Sequence, residues 1–125
     1  MDGKLLELQE TLRHYALTLP EAHQDEMLGH IVVKAQKKPF LFLSLSEIYE
    51  GKLGMSVKLP QSAKAAEALP YAERGAYALG QAGWMTMRLG PDEPADLDLW
   101  RGWIAESYRA NAPKQLVKRL DEAGA

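Results

Sequence analysis

The first twenty residues carry a single apolar stripe with the spacing of a helix. Apolar side chains recur three or four positions apart, at Leu5, Leu8, Leu12, Ala16 and Leu19. Because an α-helix completes a turn in 3.6 residues, these positions share one face. Asp2 is suited to cap the start of the helix, and Pro20 cannot continue it. The pattern therefore predicts a helix that ends at Pro20.

From Met27 the spacing changes to a period of two. Residues 30–35, 40–45 and 55–59 each alternate between two sets of side chains, which is the pattern of a strand with one buried face. Turn residues separate the three runs, at 36–39 and near Gly51. Three strands are predicted, and the polar residues from His23 to Glu26 are interpreted as a loop that enters the first of them.

The second half of the chain predicts a helix, two strands and further helix. Residues 60–69 are rich in alanine and predict a short helix that Pro70 stops. An edge strand is expected at 75–79, and residues 84–89 alternate clearly enough to predict a strand, with a turn at 90–94. A long helix is predicted at 95–109 from the stripe Leu97, Trp100, Ile104 and Tyr108, and Pro113 opens a last amphipathic piece.

These elements predict the α+β class. The expected architecture is a two-layer α/β fold in which one antiparallel sheet carries its helices on one face. Neither an internal repeat nor a linker interrupts the chain, so residues 1–125 are expected to form a single domain. A chain of 125 residues can bury a sizeable core without a metal or a disulfide.

The composition of the chain excludes several kinds of metal site and catalytic nucleophile. The sequence has no cysteine, which excludes thiolate zinc sites, iron–sulfur clusters and cysteine nucleophiles. The serines lack a nucleophile-elbow context, and no glycine-rich loop precedes a helix as phosphate loops do. The sequence therefore predicts no enzyme activity and no cofactor. We also expect a cytoplasmic protein without membrane contact, because there is no signal-peptide pattern and the apolar run at 40–43 is too short to span a bilayer.

One group of side chains offers metal-ligand chemistry, namely His23, Asp25, Glu26 and His30. Imidazole and carboxylate suit zinc or manganese. Their spacing, however, fits no recognised ligand motif. Polar surface residues near the start of a strand explain the group as well, and no metal site is predicted.

Charge is distributed unevenly although the formal net charge is only −2. Residues 1–26 hold two basic and six acidic side chains, residues 27–89 hold eight basic and four acidic, and residues 90–125 hold five basic and seven acidic. The strand region is thus positive between two negative helical regions. The overall charge therefore does not exclude a nucleic-acid partner.

The period of two also predicts which side chains face away from the helices. If Met85, Met87 and Leu89 face inward, then Trp84 and Arg88 face outward. The same rule places further side chains on the outer face, which are His30, Lys34, Phe40, Phe42, Ser44, Ser56 and Lys58. The expected surface combines cations for phosphates with aromatic rings for bases or for a partner's apolar side chains. Lys37 and Lys38 are expected at the tip of a hairpin beside it.

Seven short segments, taken together and in order, are similar to one known family. They are 16–22 (ALTLPEA), Gly29-His30, Lys38-Pro39-Phe40, 57–60 (VKLP), 77–80 (YALG), Gly83-Trp84 and Ser107-Tyr108. As a set that spans nearly the whole chain, they resemble the MmcQ/YjbR-like family. The resemblance implies the element order α-β3-α-β2-α and strand pairs likened to a double wing, for which DNA binding has been proposed. It implies no established catalytic chemistry.

The first functional hypothesis is DNA binding through basic hairpins and the outer sheet face. The residues expected to contact nucleic acid are Lys34, Lys37, Lys38, Lys58, Arg74, Trp84 and Arg88. The alternative is a protein-interaction module or homodimer that uses the same face without catalysis. A third hypothesis places a small-ligand cleft where residues 71–83 cross the sheet.

Overall fold

Six strands and four helices are formed by the residues that the computed structural model describes, which are 3–27, 30–45, 51–75, 83–90 and 96–124. In chain order they are α1 (Gly3–Leu17), β1 (Ala22–Met27), β2 (His30–Ala35), β3 (Lys38–Leu45), β4 (Leu53–Lys58), α2 (Ala63–Glu67), β5 (Ala72–Arg74), β6 (Trp84–Leu89), α3 (Leu97–Asn111) and α4 (Lys114–Gly124). The strands form one sheet in the order β1-β2-β3-β4-β6-β5. Every neighbouring pair is antiparallel.

The four helices share one apolar core with the sheet. Buried side chains from each helix join those of the strands in a single cluster, which includes Leu12, Ala66, Trp100, Leu116, Val33, Met55 and Met87. Removal of this apolar surface from water is the main force that holds the helices against the sheet. The predicted α+β class with an antiparallel sheet is confirmed. In the described part of the chain, no helix has the length and apolarity to cross a membrane.

Aromatic residues anchor α3 in this core. Trp100 and Tyr108 are fully buried, as the helical stripe predicts. The Trp100 indole N–H donates a 3.2 Å hydrogen bond to the Tyr71 hydroxyl, and the Tyr108 hydroxyl donates one of 2.8 Å to the carbonyl of Pro20. Burial raises the pKa of Tyr108 above its ordinary value. Tyr108 thereby fixes the segment that follows α1 to α3.

The interpretation of residues 23–26 as a loop is wrong, because they belong to the edge strand β1. All six residues of β1 pair with β2. The sequence AHQDEM shows no apolar alternation, since an edge strand is held largely by backbone hydrogen bonds, and its charged side chains discourage pairing with other chains. On the helical side, Arg13 of α1 donates a 3.0 Å hydrogen bond to Gln24. This contact joins the strand to the layer of helices.

The element order therefore differs from α-β3-α-β2-α. Among the described residues, four strands lie between α1 and α2, and two helices follow β6. The edge strand β5 occupies Ala72–Arg74, immediately before the predicted strand at 75–79, of which residues 76–79 lie outside the described residues. Most of the predicted turn at 90–94 lies outside them as well.

Phe40 lies in the core, which corrects its predicted place on the outer face. It is fully buried, and its ring meets that of Tyr108 edge to face at 5.1 Å between centroids. Val33 pairs with Leu41, yet Lys34 pairs with Pro39, so that Phe40 is the extra residue of a β-bulge. Because a bulge interrupts the period of two, Phe40 and the residue after it are both buried in the core cluster.

The hairpin between β2 and β3 turns through two residues, Gln36 and Lys37, because Ala35 and Lys38 form the last pair. Gln36 has a φ of 56°. This left-handed conformation brings Cβ too close to the backbone for most side chains, whereas glycine adopts it freely. Lys37 does not share the positive φ. The loop therefore carries its backbone strain at one residue.

Replacement of Gln36 with glycine is expected to stabilise the fold by about 1 kcal/mol, because it removes this steric cost. The free energy of unfolding in urea measures the effect. Lys37→Gly is the matched control and should destabilise the fold by about 0.5 kcal/mol, since it adds only unfolded-state entropy. A loss of stability in both variants would contradict this account of the turn.

Candidate nucleic-acid interface

Four lysines and a tryptophan from the predicted site meet at one end of the sheet. Because adjacent strands are antiparallel, the end of β2, the start of β3, the end of β4 and the start of β6 lie side by side. We call the residues that they carry there the basic end: Lys34, Lys37, Lys38, Lys58 and Trp84. Lys58 and Trp84 are direct cross-strand partners, which puts their side chains on the same face of the sheet.

Two other predicted residues, Arg88 and Arg74, are not part of the basic end. Arg88 is close to the opposite end of β6 and is ion-paired with Glu73 of β5. Arg74 pairs in the ladder with Met85, a buried core residue, so its side chain leaves the sheet on the helical side. There it forms an ion pair with Glu67 of α2. Lys38 leaves the sheet on the helical side as well, because it pairs with the buried Ala35. Of the seven residues that the sequence singles out, Lys34, Lys58 and Trp84 thus share the outer face at this end.

The four lysines of the basic end differ in their partners. Lys34 is held by Asp25 of β1, with 3.1 Å between the ammonium nitrogen and a carboxylate oxygen. The backbone N–H of Glu26 also donates to Asp25, and this bond together with Lys34 holds the pKa of Asp25 below its ordinary value. Across the described ranges, ion-pair partners are absent for the other three, which are Lys37, Lys38 and Lys58.

Two aromatic rings lie next to Lys58 on the face away from the helices. Phe42 of β3 and Trp84 of β6 meet across β4, with ring centroids 5.6 Å apart and an interplanar angle of 67°. The contact passes over Ser56, whose small side chain leaves room for it and whose hydroxyl shares a 3.0 Å hydrogen bond with that of Thr86. Both rings are half-buried, so each keeps some surface in contact with solvent.

Another part of the face away from the helices is shielded from solvent. Val32 pairs with Phe42, and Ser44 lies two residues further along β3, so both belong to the face away from the helices. Val32 is fully buried although it lies outside the main core cluster, and Ser44 is only 7% exposed. The region around Phe42 and Trp84 is a part of this face that keeps contact with solvent.

A buried hydroxyl, that of Ser107 in α3, sets the position of Lys58. It donates a 2.6 Å hydrogen bond to the carbonyl of Phe40 and accepts one of 2.8 Å from the backbone N–H of Lys58. The ladder between β3 and β4 ends at the pair of Phe42 and Ser56. The hydroxyl thus joins two backbone groups that would pair directly if the ladder continued. The sequence holds a signal for this role, because a serine on the apolar stripe of a helix requires a buried partner.

The residue before it, Glu106, holds the loop that follows β4. Its carboxylate accepts hydrogen bonds from the backbone N–H groups of Gln61 and Ser62, each at 3.0 Å, and from the hydroxyl of Ser62. Charge-assisted hydrogen bonds of this kind are stronger than neutral ones. One turn of α3 therefore fixes both the last residue of β4 and the loop beyond it.

The side chains considered for a metal do not converge. On β1, His23 and Asp25 face one side of the sheet, and Glu26 faces the other because successive side chains alternate. Asp25 is engaged with Lys34. In the part of the chain that the structure describes, no three histidine or acidic side chains are grouped to hold a metal ion.

The small-ligand hypothesis concerns residues 71–83, of which 76–82 lie outside the described residues. A shallow groove of about 290 Å³ lies elsewhere, between α3 and the loop after β4. Its lining consists of Pro60, Gln61, Gly102, Ala105, Glu106, Arg109 and Ala110. Both charged side chains of the groove already have partners, since Arg109 pairs with Asp121 of α4.

The Ser107→Ala variant is expected to lose about 2–6 kcal/mol of unfolding free energy, because it leaves a buried carbonyl and a partly buried N–H unpaired at about 1–3 kcal/mol each. Ser56→Ala is the matched control, since it removes a half-buried hydrogen bond between side chains and should cost less than about 1 kcal/mol. Urea denaturation of both variants makes the comparison. Equal losses would show that Ser107 does not join the strands as described.

Comparison with known proteins adds no functional assignment. A scan against protein-family models and a search of curated proteins found no match. The resemblance to the MmcQ/YjbR-like family stays a prediction from the sequence. The geometry and charge of the basic end are therefore the grounds on which a function is inferred.

Proposed function

We propose that the protein binds nucleic acid through phosphate contacts made by the basic end. The observation that carries the proposal is the strand register, which puts the four lysines at the same end of the sheet as Trp84 and makes Lys58 its direct partner. Three of these lysines have no ion-pair partner in the described ranges. Lysine ammonium groups bind phosphate oxygens as point charges, and the release of counterions from the nucleic acid favours the complex.

The distribution of charge along the chain favours the approach of a nucleic acid to the basic middle segment. The middle of the chain, residues 27–89, is basic, so a polyanion is attracted to this segment. The first helix adds no net repulsion, because its two acidic side chains are matched by two basic ones. The net charge of −2 opposes association at long range. The proposed binding is therefore weak and strongly dependent on salt.

This set of side chains favours contacts to the phosphate backbone of the nucleic acid without recognition of the base sequence. Base edges in the major groove are read mainly by paired hydrogen bonds from arginine, asparagine or glutamine. The cations of the basic end are all lysines, and they lie on strand ends and a two-residue loop. Such contacts fix position on the nucleic acid and carry no sequence information.

The variant with Lys37→Gln, Lys38→Gln and Lys58→Gln together is expected to lose most of the binding. Fluorescence anisotropy of a labelled duplex, titrated with protein at several salt concentrations, measures it. Three phosphate contacts make log affinity fall by about 2.7 for each log unit of salt, because each contact contributes about 0.9. The slope of the variant should approach zero.

Two residues at the opposite end of the sheet provide the control. The variant with Lys52→Gln and Arg88→Gln removes two positive charges that lie outside the basic end. Its affinity should fall only slightly and its salt slope should not change. Failure of the unmodified protein to bind both this duplex and a single strand of equal length at low salt, or an equal loss of slope in this control, would contradict the proposal.

Asp25→Asn is expected to strengthen binding. The substitution keeps a side-chain oxygen that can accept from the N–H of Glu26, but it removes the charge that neutralises Lys34. One additional phosphate contact would steepen the salt slope by up to about 0.9. Glu73→Gln removes a negative charge that is paired with Arg88 at the other end and should leave the slope unchanged. A weaker affinity of Asp25→Asn would show that Lys34 is not a phosphate contact.

The alternative hypothesis, a homodimer formed through the same face, has less support. A stable interface buries about 800 Å² on each partner, whereas Val32 and Ser44 are already buried within the chain. Among the described residues, the large apolar side chains that are exposed are Leu6 and Leu99, and both lie on helices. Light scattering decides between the two: a dimer that Trp84→Asp dissociates would favour this alternative.

A further inference from the structure

We infer that the nucleic acid is single-stranded and that one of its bases stacks on Trp84. This inference rests on the proposed phosphate contacts and adds the class of ligand. It concerns the accessible aromatic surface beside Lys58, which phosphate binding alone does not require. Neither the lysines nor the strand order distinguishes a single strand from a duplex, so the aromatic pair carries the argument.

Trp84 differs from the other two tryptophans of the chain. Trp100 is fully buried and Trp103 is 5% exposed, and both lie in the core. Trp84 lies on the opposite face and remains half-buried. A large apolar ring that keeps contact with water on the outer face of a sheet gives up part of the free energy that burial would supply. Contact with a partner would recover it.

The contact with Phe42 leaves ring surface free. Phe42 and Trp84 meet near to edge on, at 67°, and in such a pair only one ring presents its face to the other. At least one ring therefore keeps both π faces clear of this contact. A nucleobase can stack on such a face, and base stacking on aromatic rings tolerates any base sequence.

The neighbouring charge is placed to hold the backbone of the same strand. Lys58 is the cross-strand partner of Trp84, so a phosphate next to the stacked base lies within its reach. Lys34, whose charge is neutralised by Asp25, lies two strands further along the sheet, roughly 10 Å from Lys58 at a strand spacing of about 4.8 Å. A row of cations with an aromatic ring beside it is the arrangement by which single strands are bound without sequence preference.

A duplex does not meet the same requirements. Its bases are stacked on one another and expose only their edges in the grooves. To place a base on Trp84, the protein would have to extract it from the helix, at a cost of a few kcal/mol. The lysines can still contact the phosphates of a duplex. The aromatic ring is therefore the feature that distinguishes a single strand from a duplex.

The test compares labelled oligodeoxythymidylate, oligouridylate and a duplex of equal length by anisotropy at low salt. The unmodified protein is expected to bind both single strands more tightly than the duplex. Trp84→Leu should weaken single-strand binding about tenfold, as expected for the loss of one stacked base, and leave duplex binding and all salt slopes unchanged. Trp84→Phe, which keeps a ring, should restore most of the loss. Urea unfolding of each variant shows that the fold is retained.

The outcomes separate this inference from the proposed function. Equal affinity for single strand and duplex, unaffected by Trp84→Leu, would overturn the inference and leave phosphate binding in place. Absence of binding to all three probes would overturn the proposed function, and the inference with it. A loss with Trp84→Leu that Trp84→Phe does not restore would also overturn it, because a stacked base requires only the ring.

Discussion

The position of the candidate site depends on one buried hydroxyl. Ser107 links the carbonyl of Phe40 to the backbone N–H of Lys58, and in doing so it fixes α3 to two strands where their own ladder ends. The bulge at Phe40 turns that ring into the core against Tyr108, while Lys58 stays aligned with Trp84. An unpaired buried backbone group is costly. The link therefore holds the ends of β3 and β4 in place where their ladder stops, and with them the position of Lys58.

Much of the fold follows from local patterns. The period of two predicts the bounds of β6, and helical spacing identifies the buried face of α3 through Trp100 and Tyr108. β1 could not be predicted in this way, because an edge strand with solvent-exposed side chains needs no apolar alternation. The inward position of Phe40 depends on a bulge, which arises from pairing with another strand and leaves no mark on the alternation itself.

The candidate site was predicted only in part, for a related reason. Residue type and pleat direction identify Lys58, Trp84 and Phe42 as members of one face. They do not reveal that Arg74 lies on the helical side, or that Lys34 and Arg88 have carboxylate partners. Ion pairs join residues that are distant in sequence, so they depend on strand order and register. The same register puts Arg88 at one end of the sheet and the lysines at the other.

The most direct test of this account is a titration of the isotope-labelled protein with oligodeoxythymidylate, followed through its amide ¹H–¹⁵N resonances at low salt. The account predicts shifts at the hairpin of Lys37 and Lys38, at the end of β4 and at the start of β6. The amides of Gly54 and Arg88, at the other end of the same strands, should keep their positions. Shifts centred on that end, or on α1, would contradict the claim that the strand register builds a phosphate-binding surface at the basic end.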